Sequence, residues 1–264
     1  MSDREVYPNA PVVLVAIEVR HPTAEPLAKA AIADLKRSLA REFPLYMPAT
    51  TLTFTVSPTG MAQDPQTAPR YVSRDKTASV TFREDAIVVE TTRYEHYERL
   101  REMAALAVDV RQRVAPVDGV ERIGLRYINE VRVPELRSSA DWAEWVAPAL
   151  AGPTALDPPT GLDLNTWQGT AIFGDPTGSG AAVRHGSFEG YAVNPGGDLK
   201  RPAPAPGPFF LIDIDSYWTA QGETPNVEQE ELLTCLDGLN SYVKVLFEGL
   251  ITDRLRNEVL RDAR

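Results

Sequence analysis

Cysteine and histidine are scarce in this sequence. Its 264 residues include one cysteine and three histidines, so an intramolecular disulfide is excluded. Cys235 has no second cysteine with which to bind zinc. His21, His96 and His185 lie far apart in the sequence, and no two of them have a metal-ligand spacing. We therefore predict no structural zinc site and no cofactor.

Long apolar runs are absent as well. No segment approaches the roughly 18 to 20 consecutive apolar residues that a membrane-spanning helix requires. Residues 1–11 lack the charged and then apolar pattern of a secretion signal. A chain with one cysteine also suits a reducing compartment. These absences predict a cytoplasmic protein that makes no contact with a membrane.

The familiar nucleotide-binding and serine-hydrolase motifs are missing. The sequence contains no G-x-x-x-x-G-K-[ST], no G-x-G-x-x-G and no G-x-S-x-G. Its glycine-rich stretches at 174–180 and 194–197 are not followed by a helix that would present amide groups to a phosphate. We interpret both stretches as loops and expect no ATP or dinucleotide binding through these motifs.

Positive charge is in deficit, with 27 Lys and Arg residues against 37 Asp and Glu residues and a net charge of −10. An acidic surface repels the phosphate backbone of nucleic acids and anionic membranes, so neither is an expected partner. The hydrophobic fraction of 43% and the charged fraction of 24% are typical of a folded globular protein.

The same order of predicted elements occurs twice along the chain. We recognise strands by alternating apolar residues, and helices by apolar residues spaced three and four apart. The first half (residues 1–118) contains a strand at 12–20, a helix at 26–43, strands at 51–56, 78–84 and 86–94, a polar loop at 57–70 and a helix at 95–114. The second half (residues 119–264) contains a strand at 122–134, a helical segment at 139–149, strands at 166–174, 181–193 and 209–218, and a helix opened by Asn226 and running to 250.

This order predicts an α+β fold of two tandem β-α-β-β-β-α repeats, with antiparallel sheets covered by helices on one face. The segment AIEVRHP in the first half is echoed by YINEVRVP in the second. Such a fold is loosely similar to the halves of TATA-binding-protein-like or helix-grip proteins. The acidic charge argues against a DNA-binding saddle. The pattern leaves open whether the two sheets join edge to edge or pack as separate lobes.

Charged residues alternate along the polar faces of three predicted strands. They are Glu18, Arg20, Arg122, Arg126, Arg132, Asp213 and Asp215. Guanidinium groups suit phosphate and carboxylate, so the arginines are candidates for binding an anionic ligand or partner. The alternative is a structural ladder of ion pairs between neighbouring strands. The sequence favours the ladder.

Tyr127 and Asn129 lie on the apolar face of the predicted strand at 122–134. A buried amide needs hydrogen-bond partners. We interpret Asn129 as a structural amide, at a bulge where the alternation shifts. The alternative is a contact that gives specificity for a ligand.

Three segments carry a resemblance to a known family: YPNAPVVLVAIEVR at the start, RIGLRYINEVRVP in the centre and FEGLITDRLRNEVL near the end. They resemble a sporadically distributed family of uncharacterised bacterial proteins with an RIGLRYIN-like central motif. Here Pro8 replaces the aliphatic residue that precedes Asn–Ala–Pro in that family. The resemblance implies one intact fold and an accessory role in a bacterial defence or toxin-neutralising operon, and it implies no catalytic activity. The residues that match the family pattern are Asn9, Pro11, Arg122, Gly124, Arg126, Tyr127 and Asn129.

We predict a non-enzymatic cytoplasmic protein that binds another protein or a small ligand. Its long C-terminal helix also offers a surface for a homodimer. The competing hypothesis is an enzyme acting on an anionic, phosphorylated substrate. In that enzyme the arginines would hold the anion, while Asp213, Asp215 or Glu18 would serve metal binding or proton transfer. The two hypotheses differ in whether acidic neighbours already occupy the arginines.

Overall fold

The computed structural model describes residues 7–57, 60–157 and 159–262, and the side chains of these residues except those of 51–66. The strands are β1 (Val12–Arg20), β2 (Leu45–Tyr46), β3 (Ala49–Ser57), β4 (Gly60–Ala68), β5 (Arg70–Val72), β6 (Ala78–Phe82), β7 (Ala86–Thr91), β8 (Arg122–Val131), β9 (Trp167–Gly174), β10 (Ser179–Gly190) and β11 (Gly207–Thr219). The α-helices are α1 (Lys29–Leu39), α2 (Tyr97–Val114), α3 (Pro148–Ala151), α4 (Gln229–Leu250) and α5 (Asp253–Leu255). None of the helices described is long and apolar enough to cross a bilayer.

One antiparallel sheet of nine strands forms the centre of the molecule, in the order β2-β5-β6-β7-β1-β8-β11-β10-β9. The strands β1 and β8 pair directly in the middle of this order, so strands from both halves of the chain share one sheet. The large antiparallel sheet and its helices confirm the predicted α+β class.

The hydrophobic core lies on one face of this sheet. Alternation along β1 buries Val15, Ile17 and Val19 on that face, and Leu125 of β8 is buried beside them. Helix α2 contacts β7, α4 contacts β8 and β11, and the two helices contact each other. These helices therefore cover the apolar face, as the periodicity predicts.

The first half differs from the prediction between residues 49 and 72. The predicted strand at 51–56 pairs only with β4 in a separate two-stranded hairpin, and much of the predicted loop at 57–70 forms β4. The sequence of β4 is polar and contains Pro65. A strand paired on one side only tolerates a proline, whereas a central strand does not. The short strands β2 and β5 join the main sheet instead.

The helices of the second half also begin differently from the prediction. The segment predicted as a helix at 139–149 is a 3₁₀ turn (Ser139–Glu144) followed by α3, because Pro148 cannot continue a helix but suits its first position. The helix predicted to open at Asn226 begins at Gln229, and its N-cap residue, Glu228, makes no capping hydrogen bond through its side chain.

Candidate ligand-binding cavity

Arg126 is held by a buried carboxylate on the polar face of the sheet. Asp215 is its directly opposite residue in the register of β8 and β11. The Nε and Nη2 atoms of Arg126 nevertheless donate to the diagonal neighbour Asp213, at 2.8 and 2.7 Å. Arg184 adds a donor to Asp213 at 3.4 Å. This two-pronged hydrogen bond raises the pKa of the Arg126 guanidinium against the opposing effect of burial.

Arg122 bridges two carboxylates on the same face. Its Nη2 atom lies 3.3 Å from Oδ2 of Asp215, and its Nη1 atom lies 3.5 Å from Oε1 of Glu18. Gly124 provides the room for this arrangement, because a Cβ atom at that position would lie 2.5 Å from Nη1 of Arg122. A side chain at this position would have to displace the end of the Arg122 side chain.

Glu18 is the acceptor at the β1 end of this network. It accepts hydrogen bonds from Arg20 Nε and Arg83 Nη2, each at 2.6 Å. Burial alone would raise the pKa of Glu18, but the hydrogen bonds and charges of Arg20 and Arg83 outweigh it and lower the pKa. At Asp215 the balance is reversed, and burial raises the pKa despite the nearby arginines.

Arg132 has a carboxylate partner of its own. Its Nε atom donates to Glu130 at 2.9 Å, and its Nη2 atom donates to the carbonyl of Gly190. The buried Glu130 also accepts from Arg201 Nη2 and from the backbone N–H of Ala192, both at 2.8 Å. This carboxylate therefore anchors the segment between β10 and β11 to β8.

The polar face is thus a network of internal ion pairs. Each of the four candidate arginines (Arg20, Arg122, Arg126 and Arg132) contacts at least one carboxylate of the chain, so an anionic ligand would have to displace one. Across the described ranges, no three His, Cys, Asp or Glu side chains are grouped so that they could hold a metal ion.

Asn129 lies on the opposite, helix-covered face and is 2% exposed. Its Nδ2 atom donates to the carbonyl of Ile212 at 2.8 Å. The pairing of β1 with β8 shifts between Val12 and Leu14, next to this residue, so the predicted bulge is present on the neighbouring strand. The amide nitrogen of Asn129 therefore has a structural role.

Tyr127 is fixed in place two residues earlier on the same face. Its hydroxyl group donates to Oδ1 of Asn240 on α4 at 3.1 Å and lies 3.4 Å from the hydroxyl of Tyr94. The rings of Tyr94 and Tyr127 meet edge to face, with their centroids 5.3 Å apart. These contacts connect β8 to α4 and to the segment that precedes α2.

A cavity of about 420 Å³ opens beside these two residues. Its volume is in the usual range for a small-molecule site. Its walls combine aliphatic and aromatic side chains with a few polar groups. The residues that line it are Tyr7, Pro8, Ala10, Pro11, Val12, Tyr94, Glu95, His96, Tyr127, Asn129, Asn240, Val243, Lys244, Phe247 and Glu248.

The N-terminal residues form one wall of this cavity because the C-terminal helices hold them. The hydroxyl of Tyr7 donates to Oε1 of Glu248 at 2.9 Å and accepts from Nε of Arg256 at 3.1 Å. Nδ2 of Asn9 donates to the carbonyl of Val259 at 3.0 Å. Burial is the main cause of the raised pKa of Tyr7. The start, centre and end of the chain therefore meet at one place.

No protein-family model matches the chain, and no curated protein is significantly similar to it. The resemblance to the bacterial family with the RIGLRYIN-like motif stays a prediction.

Two of the nine candidate site residues, Tyr127 and Asn129, line the cavity. The other candidates lie on the polar face, where they pair with one another or with nearby charges; they are Glu18, Arg20, Arg122, Arg126, Arg132, Asp213 and Asp215. Sequence reasoning missed Tyr94, Asn240 and Phe247. For Phe247 the available signal was the apolar stripe of α4, which also describes an ordinary core helix; no pattern in the sequence indicated Tyr94 or Asn240.

Proposed function

We propose that the protein is a non-enzymatic binding protein, and that it binds a small molecule in the cavity beside Tyr127 and Asn129. The observation that carries the proposal is the position of Asn129, a buried polar side chain that lines the cavity among largely apolar walls. The side-chain oxygen of an amide is an acceptor, so a ligand that donates a hydrogen bond suits this site.

The lining of the cavity defines the class of ligand. Val12, Val243 and Phe247 provide apolar contact, and Tyr94 adds an aromatic edge. A ligand that fits has a partly apolar body and at least one hydrogen-bond donor, such as an amide, amine or hydroxyl group. The exposed Lys244 at the rim can contact a polar end of the same molecule.

The ion pairs of the polar face weigh against the competing hypothesis of an enzyme for a phosphorylated substrate. Such an enzyme needs free arginines, whereas Arg122, Arg126 and Arg132 each have a carboxylate partner. Turnover of a phosphate ester that is lost in Arg126→Ala would revive that hypothesis.

We also propose that the two halves of the chain arose by duplication. In each half the first strand pairs with the last strand before the long helix, as β1 does with β7 and β8 with β11. This common pattern around the β1–β8 pair supports the proposal. A cytoplasmic location, an accessory role in a defence or toxin-neutralising operon and a homodimer through α4 stay predictions, which neighbouring genes, cell fractionation and light scattering can test.

A thermal-shift screen of a small-molecule library tests the binding function. Ala10 is exposed at the cavity wall, so Ala10→Trp fills the cavity without disturbing the core. The matched control is Ala30→Trp, at an exposed position of α1 outside this cavity. We expect compounds that raise the melting temperature of the wild type and of Ala30→Trp but not that of Ala10→Trp. A screen without any stabilising compound, or stabilisation that persists in Ala10→Trp, would refute the proposal.

A further inference from the structure

Arg111 is a buried cation that forms no ion pair with any of the residues that the structure describes. It lies on α2, is 2% exposed and is among the largest fully buried side chains. Its Nε and Nη1 atoms have no hydrogen-bond acceptor, and within the described ranges no carboxylate forms an ion pair with it. By contrast, Arg113 on the same helix is exposed and binds Asp109 at 2.7 Å. A buried charge without a partner is strongly unfavourable, so this arginine needs an explanation.

A second cavity, of about 550 Å³, is lined by Arg111. It shares no lining residue with the cavity beside Tyr127. Its apolar walls come from Leu27, Ile32 and Phe82, and the base of the β3–β4 hairpin closes part of it through Thr67 and Ala68. The cavity is therefore large enough for a small organic molecule in addition to a charged group.

Near this cavity lies a second buried side chain, His21, and one of its ring nitrogens lacks a hydrogen-bond partner. It is 1% exposed, and its Nδ1–H donates to the carbonyl of Pro22 at 2.8 Å. Its Nε2 atom has no hydrogen-bond partner. Burial is the main cause of its lowered pKa, and the charge of Arg111 lowers that pKa further. The charges of Asp85 and Glu121 each raise the pKa of His21 less than the charge of Arg111 lowers it, so Arg111 is the dominant charge near this ring.

The acidic residues around this cavity do not neutralise Arg111. Glu25, Glu84 and Asp85 line the cavity but are exposed to solvent. Asp85 lies 3.3 Å from Nε of Arg83, which also binds Glu18. Water screens such exposed carboxylates, whereas the buried guanidinium has no comparable screening.

We propose that the second cavity binds a small organic anion, and that Arg111 holds its carboxylate or phosphate group. The guanidinium offers donors in a planar fork that matches either group. Leu27, Ile32 and Phe82 contact the organic body of the ligand. This site is independent of the cavity beside Tyr127, and its test does not depend on that proposal.

The test measures the melting temperature against increasing inorganic phosphate, and in a second arm against increasing acetate, at an ionic strength held constant with sodium chloride. The variants are Arg111→Met and, as the matched control on the same helix, Arg113→Met. We expect a saturable rise of a few degrees for the wild type and Arg113→Met with at least one of the two anions, and none for Arg111→Met. Without added anion, Arg111→Met should melt at or above the wild-type temperature, because an unpaired buried charge has been removed.

The absence of any saturable rise in the wild type in both arms would overturn the proposal, as would a rise that persists in Arg111→Met. If Arg111→Met does not fold, Leu27→Trp decides the question, because it fills the cavity and leaves Arg111 in place. The anion response should be lost in Leu27→Trp, and its retention there would equally overturn the proposal.

Discussion

Asn129 combines a structural donor with a position in the wall of the first cavity. Replacing it with aspartate exchanges the Nδ2 donor for an oxygen that faces the carbonyl of Ile212. We expect Asn129→Asp to lower the free energy of unfolding by at least about 2 kcal/mol at neutral pH, since it buries a charge without a partner. Urea denaturation measures this loss.

The control for that substitution is Asn240→Asp. The Oδ1 atom of Asn240 accepts from Tyr127, and an aspartate keeps that acceptor. The loss of stability should therefore be clearly smaller. Equal losses of unfolding free energy in the two variants would show that the stability does not depend on the orientation of the Asn129 amide.

Arg126 and Asp213 form an ion pair on the polar face whose carboxylate is buried, with the Asp213 side chain 3% exposed. Arg126→Met leaves this carboxylate with one weaker partner, Arg184. We expect the free energy of unfolding to fall by about 1–3 kcal/mol. This loss is smaller than that for a fully buried ion pair, because Arg126 is half exposed. Chemical denaturation of Arg137→Met provides the comparison. Its exposed pair with Asp141 should contribute less than about 1 kcal/mol.

Glu18 makes a predictable contribution to the pH dependence of stability. Its pKa is lowered in the folded protein. Its contribution is therefore fully present above the pKa that it has in the unfolded chain, and is lost as the pH falls through the folded pKa. In Glu18→Gln, the free energy of unfolding should decrease less steeply on acidification. Parallel pH profiles for wild type and variant would contradict the assigned ion pairs, and the exposed Glu102→Gln serves as the control.

At the scale of elements, the N-terminal segment depends on the C-terminal helices for its position. Asn9→Ala removes the side-chain hydrogen bond to Val259 and leaves the core intact. We expect faster hydrogen–deuterium exchange in residues 7–12 with little change in melting temperature. Asn257→Ala, at an exposed position on the neighbouring helical turn, should leave that exchange unchanged. Unaltered exchange in Asn9→Ala would mean that other contacts hold the segment.

An element can be predicted from the sequence when the burial of one of its faces produces a periodic pattern of apolar residues. Strands β1 and β8 alternate because one face is buried, and their positions are predicted closely. The two residues of β2 and the three of β5 are too few for any periodicity to appear. The polar strand β4 is stabilised by pairing with β3, and pairing leaves little trace in the sequence of one strand.

Of the candidate site, the ion pairs of the polar face can be predicted from the sequence, whereas the cavity cannot. Opposite charges on two strands indicate that they pair, so the ion pairs of the polar face follow from the pattern. The cavity brings together the N-terminal residues, the segment before α2, β8 and α4. The sequence contains no pattern that places Tyr94 or Asn240 beside Tyr127, because that proximity arises from the packing of α2 and α4 on the sheet.

At the scale of the whole molecule, the two faces of the sheet have different roles. The polar face satisfies its own charges, which stabilises the pairing of β1, β8 and β11. The helix-covered face borders the cavity beside Tyr127 and Asn129, and a second cavity is lined by the buried Arg111.

Native mass spectrometry of the protein, purified under mild conditions from the cells that make it, tests the central claim most directly. If the cavity beside Tyr127 and Asn129 binds a small molecule, the wild type and Ala30→Trp carry an additional non-covalent mass that Ala10→Trp lacks. A wild-type spectrum that shows only the mass of the chain, or an added mass that persists in Ala10→Trp, would contradict the claim.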